Sequence, residues 1–222
     1  MDSVSRRAKR QKGRLAVMTR VIFVCACFLT YSSAGCVVGV HTEVRYRPIA
    51  AAPTSPRATV SLEVVDSRES KLGGREKNLV GQVRGTYGNP FALREAAPVA
   101  QIVAAATSDA LLHAGVRAQS DASRTVIVTI NKYWVDGYMA CTAKIEAQVA
   151  LRDTEDRIVF SQLIRGDATG SVVVAPQTEL EGIFQNALAQ YARAAVASFQ
   201  SPAFQNALVP PRLSQATTVP RE

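Results

Sequence analysis

The sequence predicts an α+β domain of two layers: a mainly antiparallel sheet built on one long hairpin, with two helices packed on one face. Three observations carry this prediction. Arg124–Val135 and Tyr138–Arg152 both alternate apolar and polar residues, and they flank Asp136-Gly137, the composition of a tight type I′ turn. Glu95–Ala114 and Thr178–Phe199 instead place apolar residues at three- and four-residue steps, the period of a helix with one buried face. Strands that are apolar on one side have a single face to cover, which directs both helices to the same side of the sheet.

Taken in order, the domain opens with Ala58–Asp66, where Val60, Leu62 and Val64 alternate with polar residues as a half-buried strand does. A polar loop, Ser67–Asn78, has Gly73-Gly74 at its centre. A weaker strand over Leu79–Thr86 precedes the turn chemistry of Gly88-Asn89-Pro90. The helix Glu95–Ala114 lines up Val99, Ile102, Val103, Ala106 and Ala110; Pro98 suits its first turn and Gly115 stops it.

In the hairpin, a two-residue turn sets Val135 opposite Tyr138 and Trp134 opposite Met139. One face then carries Val126, Val128, Ile130 and Trp134 with Met139, Ala143, Ile145 and Ala147. The other carries Ile127, Thr129, Asn131 and Tyr133 with Ala140, Thr142, Lys144 and Glu146. Lys132, opposite Cys141, is the one exception on the apolar face. Thr154-Glu155-Asp156 turns the chain into a further strand from Arg157 to about Ala168. The last helix starts at Thr178, which has capping-box spacing to Glu181. Its stripe is Leu180, Phe184, Leu188, Tyr191, Ala195 and Phe199, and Pro202 ends it.

The segments outside the domain carry a targeting signal. Arg20, the nine apolar residues Val21–Leu29 and Ser33-Ala34-Gly35-Cys36 read as a bacterial lipoprotein export signal ending at a cysteine that becomes lipidated. Nine helical residues span about 14 Å at ~1.5 Å each, too short for a hydrocarbon core of ~30 Å. Ser33 stands where such signals usually carry Leu, Val or Ile, which leaves ordinary secretion with cleavage nearby, or no cleavage at all, as the alternatives. Met18 followed by Thr19 and Arg20 would already open a complete signal, so residues 1–17 read as either a misassigned extension or an unusually long charged region. The expected organisation is a signal over 1–35, a lipidated Cys36 and flexible tether over 36–57, the domain over 58–200 and a disordered tail over 201–222. Twenty flexible residues would give that tether a reach of roughly 25 Å. A fragment starting near Arg57 is expected to fold alone as a monomer, without metal or disulfide.

Charge and cysteine count narrow the function classes. Seven of the 26 Lys/Arg residues and one of the 18 acids lie within residues 1–35, so most of the net charge of +8 belongs to the signal. A nucleic-acid partner is therefore not expected, because that needs a clustered basic surface. Cys25 and Cys27 fall in the signal and Cys36 is the lipid site, which leaves Cys141 alone. It reads as a buried small hydrophobe, with an intermolecular disulfide or redox role as the alternative. His41 falls in the tether, and His113 closes the first helix, where a cation suits the dipole. The sequence has no Gly-x-Ser-x-Gly elbow, His-Glu-x-x-His pair or phosphate-cradling loop. No cofactor, no metal and no enzymatic activity are expected.

Two groups remain as candidates for binding a partner. Asp66-Ser67-Arg68, where the first strand becomes a loop, can pair internally or present Asp66 and Arg68 to a partner. Tyr133, Val135 and Tyr138 come together on the nominally polar face at the hairpin tip. They form either an aromatic contact surface or a patch covered by the domain itself.

The chain resembles the YajG-like family of uncharacterised bacterial lipoproteins. The resemblance rests on Cys36, on the first strand running into Asp66-Ser67-Arg68, on the Ala-rich helix ending in His113-Ala114-Gly115, and on Tyr133-Trp134-Val135-Asp136. It covers roughly residues 58–200. It implies an outer-membrane lipoprotein with a small domain facing the periplasm, and it assigns no catalytic residues. A looser similarity is to auxiliary lipoproteins of envelope lipid-transport systems. The expected role is a non-catalytic binding or scaffolding component of the cell envelope, held on the membrane by its lipid and working with an envelope protein partner. The alternatives are transport assistance or a small-ligand receptor.

Overall fold

A computed structural model describes residues 39–50, 52–68, 78–84, 90–138, 140–171 and 176–209. The described elements are β1 (Gly39–Thr42), β2 (Ala58–Asp66), β3 (Leu79–Arg84), β4 (Pro90–Glu95), α1 (Val99–His113), β5 (Val116–Ala118), β6 (Thr125–Tyr138), β7 (Ala140–Arg152), β8 (Ile158–Ser171), α2 (Pro176–Phe199) and α3 (Pro202–Leu208).

The fold mixes α and β, and its sheet is mixed rather than mainly antiparallel. β6 is its axis. Along one edge β6 pairs antiparallel with β7, which pairs antiparallel with β8. The other edge is shared by two shorter strands. β2 runs parallel to Ser61-facing Thr125 through Ile130, and β3 runs parallel to Val135–Tyr138. β4 is antiparallel to β3, while β1 and β5 add parallel pairings to β4 and β2. The parallel pairings join strands far apart in sequence, so no local turn signal announces them.

The long hairpin turns later than its sequence suggests. β6 continues through Asp136 and Gly137 to Tyr138, and the register runs Val135↔Ala143, Gly137↔Cys141 and Tyr138↔Ala140. A bulge lies between Ile130 and Lys132. An inserted residue reverses which side chains face the core. Val126, Val128 and Ile130 are buried before the bulge, and Tyr133 and Val135 after it. Trp134, placed by alternation on the apolar face, is half-buried on the opposite face, across from Lys144. Lys132 ceases to be an exception, because it leaves the apolar face and pairs across the ladder with Glu146.

Both helices cover the face that carries Val126, Tyr133, Ala143 and Ile164. The stripe Leu180, Phe184, Leu188, Tyr191, Ala195 and Phe199 is buried throughout, as are Val99, Ile102, Val103, Ala106 and Ala110 of α1. α2 crosses β8 very closely at Gly166, where a Cβ would stand 2.3 Å from the Ala187 carbonyl oxygen and 2.4 Å from the Tyr191 nitrogen. The helices also touch each other through a buried hydroxyl pair, Thr107 Oγ1 and Tyr191 Oη at 3.0 Å.

Three boundaries differ from expectation. Residues 90–95 form a strand, and α1 begins only at Val99, because Pro98 disfavours helical backbone at Ala97. Residues 39–49, expected as a free tether, include β1 and the buried Val44. Pro202 does not begin a tail: it occupies the first turn of α3, whose Phe204 N–H donates to Ser201 Oγ at 3.3 Å. Phe204 is buried against Phe160 and Phe199, with ring centroids 5.1 Å and 4.9 Å away.

Candidate functional site

The handover from β2 to β3 leaves a gap on the edge of β6, since Asp66 pairs with Ile130 and the next paired residue is Val135, opposite Gly81. Backbone carbonyls in such a gap need donors. Asp66-Ser67-Arg68 supplies them. Ser67 donates from its N–H and its Oγ to the Ile130 carbonyl, at 3.2 Å and 2.9 Å. Arg68 Nη1 donates to the carbonyls of Tyr133 and Leu79, at 3.2 Å and 3.3 Å.

The remaining guanidinium edge is held by Asp66 in a two-point contact, Nε–Oδ1 and Nη2–Oδ2, both 2.8 Å. The side chains of Arg68 and Asp66 are only 10% and 12% exposed. The pair is a clamp across three strands, and its charge is turned inward. Of the two sequence readings, the side chains show the internal one: Asp66 and Arg68 pair with each other.

Two of the three hairpin-tip residues, Tyr133 and Val135, are also turned inward. Tyr133 is 1% exposed and Val135 fully buried, because the bulge turns both toward the helices. The Tyr133 ring stacks on Phe184 at 4.9 Å with 13° between planes, and the Arg68 guanidinium lies 5.9 Å from its centroid. Burial drives the Tyr133 phenol pKa far above its ordinary 10.0, and its hydroxyl has no hydrogen-bond partner among the described residues. Tyr138 ends β6, but its side chain lies outside the described residues.

Beside this cluster stands a carboxylate that sequence reasoning missed. Glu95, at the end of β4, is 1% exposed. It accepts the Val44 N–H at 3.0 Å, the Ala96 N–H at 3.2 Å and the Thr42 hydroxyl at 3.2 Å. Burial raises its pKa above the usual 4.5, and these donors oppose the rise. Two further acids hold the same N-terminal segment. Glu181 accepts the Glu43 N–H at 3.0 Å, and Asp109 accepts the Ile49 N–H at 2.9 Å and the Tyr46 hydroxyl at 2.6 Å. The signal for Glu95 was the Pro98 boundary, which ends any helix before Ala97 and frees Phe91–Glu95 to extend.

Cys141 is a buried free thiol, and burial pushes its pKa up, away from reactivity. His113 Nδ1 lies 2.9 Å from the Asp109 carbonyl oxygen one turn earlier, so its ring is tied to its own helix. Among the described residues no group of three His, Cys, Asp or Glu could hold a metal ion. No described helix is long and apolar enough to cross a membrane. Cys36 and the apolar run Val21–Leu29 lie outside the described residues.

The solvent-facing side of the sheet presents a row across four strands: Val65, Thr129, Gln148 and Leu163, in register through β2, β6, β7 and β8. Val65 and Leu163 are 41% and 38% exposed. Arg165, Lys144 and Glu63 surround the row as exposed charges.

No protein-family model matches the chain, and no curated protein matches its sequence. Solved structures resemble it at low identity. A Xanthomonas campestris protein of the DUF330 family is 16% identical, with 76% of this chain and 96% of that one covered, at a TM-score of 0.49. Lipoprotein GNA1162 of Neisseria meningitidis is 9% identical over 60% of this chain and 96% of its own, at 0.33. A minor lipoprotein of Acinetobacter baumannii is 8% identical over 63% and 91%, at 0.35.

Proposed function

We propose that the chain is a lipid-anchored lipoprotein of the bacterial cell envelope, of the YajG-like kind, whose domain binds a protein partner in the periplasm and catalyses no reaction. One observation carries the reading: Val21–Leu29 followed by Ser33-Ala34-Gly35-Cys36, with the first described strand starting at Gly39. Two or three acyl chains on Cys36, at about 0.8 kcal/mol per buried methylene, would hold such a domain on a bilayer almost permanently. We place the anchor in the outer membrane, with Val37 after the cysteine in place of the Asp that in enteric bacteria retains lipoproteins at the inner membrane.

With Tyr133, Val135, Asp66 and Arg68 turned inward, the binding role moves to the open sheet face around Val65 and Leu163. Intact mass of the membrane-extracted protein tests the anchor, and an unmodified Cys36 thiol would refute it. Gentle solubilisation and co-purification tests the role. A stoichiometric envelope protein that is lost in Leu163→Asp supports binding. A retained lipid or small molecule would instead favour the transport-auxiliary or receptor alternative.

A further inference from the structure

We infer that the end of the sheet carrying the β6–β7 turn is the membrane-proximal end of the domain, and that the Asp153–Arg157 turn is its far end. The inference rests on the proposed acylation of Cys36 and adds to it which surface meets the lipid. Three peptide steps separate Cys36 from Gly39, and at ~3.3–3.6 Å per step the chain between them reaches at most about 11 Å.

The ladder registers say which end that leash holds. Gly39 pairs with Ala92, two residues into β4. Arg84 pairs with both Pro90 and Tyr138, and Ala140 pairs with Ser171. Gly39, Arg84, Tyr138, Ala140 and Ser171 therefore share one end of the sheet, and β1 runs away from it alongside β4.

The opposite end is where Ser61 pairs with Thr125, Thr125 with Arg152 and Arg152 with Ile158. Between Ala140 and Arg152 the β7 strand covers about 40 Å at ~3.4 Å per residue, several times the leash. The leash cannot lengthen by peeling β1 off cheaply. Its ladder to β4, the Thr42 and Val44 bonds to Glu95 and the Glu43 bond to Glu181 would all have to break. A free tether of twenty residues would impose no orientation; a three-residue leash on a pinned strand does.

The test is resonance energy transfer from a site-specific label to acceptor-labelled headgroups. The full chain, expressed and acylated, is reconstituted in phosphatidylethanolamine–phosphatidylglycerol vesicles. Labels are placed at Ala140→Cys or Glu155→Cys in a Cys141→Ala background; both positions are exposed. Transfer from position 140 is expected to exceed that from position 155 severalfold. Twenty Gly/Ser residues inserted between Val38 and Gly39 should collapse the contrast, since such a linker spans roughly 25 Å. Equal transfer from the two positions, or stronger transfer from 155, overturns the orientation. Intact mass of the same preparation separates the two readings: an unacylated Cys36 overturns the anchor, whereas acylated protein with equal transfer overturns the orientation alone.

Discussion

Tyr133 and Trp134 are neighbours on one strand, and the bulge after Ile130 gives them opposite fates. Truncating Tyr133 to Ala removes a side chain that is 1% exposed and stacked on Phe184. A buried aromatic replaced by Ala costs about 3–5 kcal/mol, and loss of a stacked pair contributes ~0.5–1.5 kcal/mol of that kind of penalty. A value of about 4 kcal/mol follows, which at ~2–4 °C per kcal/mol for a domain of this size lowers Tm by roughly 8–16 °C.

Trp134→Ala removes a half-buried ring from the open face and should cost about 1–2 kcal/mol, the share of the burial term that a half-covered side chain has to lose. Tyr133→Phe separates ring from hydroxyl. The ring stays stacked, and the hydroxyl has no partner among the described residues, so the change should be neutral or stabilising by up to ~2 kcal/mol. Urea unfolding of the acyl-free domain beginning at Val37 reads all three. Equal losses in Tyr133→Ala and Trp134→Ala, or a larger loss for Trp134→Ala, would refute the bulged register and restore simple alternation through the tip.

Four further outcomes are expected. Glu95 has its pKa raised in the folded state by burial, so the folded protein binds this proton more tightly than the unfolded chain. Stability from this group is full at low pH and falls as pH rises through the window above 4.5; Glu95→Gln should flatten that slope in pH-dependent unfolding and match or exceed the native protein at neutral pH. Arg68→Ala removes the guanidinium that donates to Asp66 and to the Tyr133 and Leu79 carbonyls, and with slight residual exposure should cost near the lower end of the ~3–5 kcal/mol typical of broken buried pairs. Gly166→Ala sets a Cβ against α2 backbone that cannot yield locally, so chemical denaturation should show a loss of at least ~1–3 kcal/mol. A fragment starting at Arg57 should melt well below one starting at Val37, because it lacks β1, Val44 and the donors to Glu95 and Asp109; equal melting would return residues 39–49 to the status of a tether.

What could be read from the sequence was local and periodic. The buried faces of α1 and α2 follow from three- and four-residue spacing, and the strand character of β6, β7 and β8 from alternation. Cys141 is buried where alternation along β7 puts it. What could not be read depends on pairings between distant strands. The bulge is a property of the β6–β7 register, and Asp136-Gly137 is a favourable turn that the longer strands override. Lys132 was its one trace, a charge that simple alternation forced onto an apolar face. β1 is short and owes its pairing to β4, dozens of residues away. Asp66 and Arg68 announced a clamp by their i,i+2 spacing, but its purpose, closing the gap where β3 replaces β2, exists only in the assembled sheet.

The segment ahead of β2 is held by carboxylates. Three acids from three different elements, Glu95 on β4, Asp109 on α1 and Glu181 on α2, accept hydrogen bonds from backbone N–H groups between Glu43 and Ile49. A carboxylate accepting from backbone is a stronger contact than a neutral pair, and Glu95 tolerates burial for it despite a raised pKa. Together these bonds tie the backbone between Glu43 and Ile49 to β4, α1 and α2. Glu95→Gln and Asp109→Ala test these contacts separately. Gln at 95 preserves an acceptor for Val44, whereas Ala at 109 removes the acceptor of Tyr46 and Ile49. Hydrogen exchange of the Val44 and Ile49 amides reads the difference, with faster exchange at Ile49 in Asp109→Ala alone. Unchanged exchange at Ile49 would mean that this segment is held by its packing and not by the carboxylates.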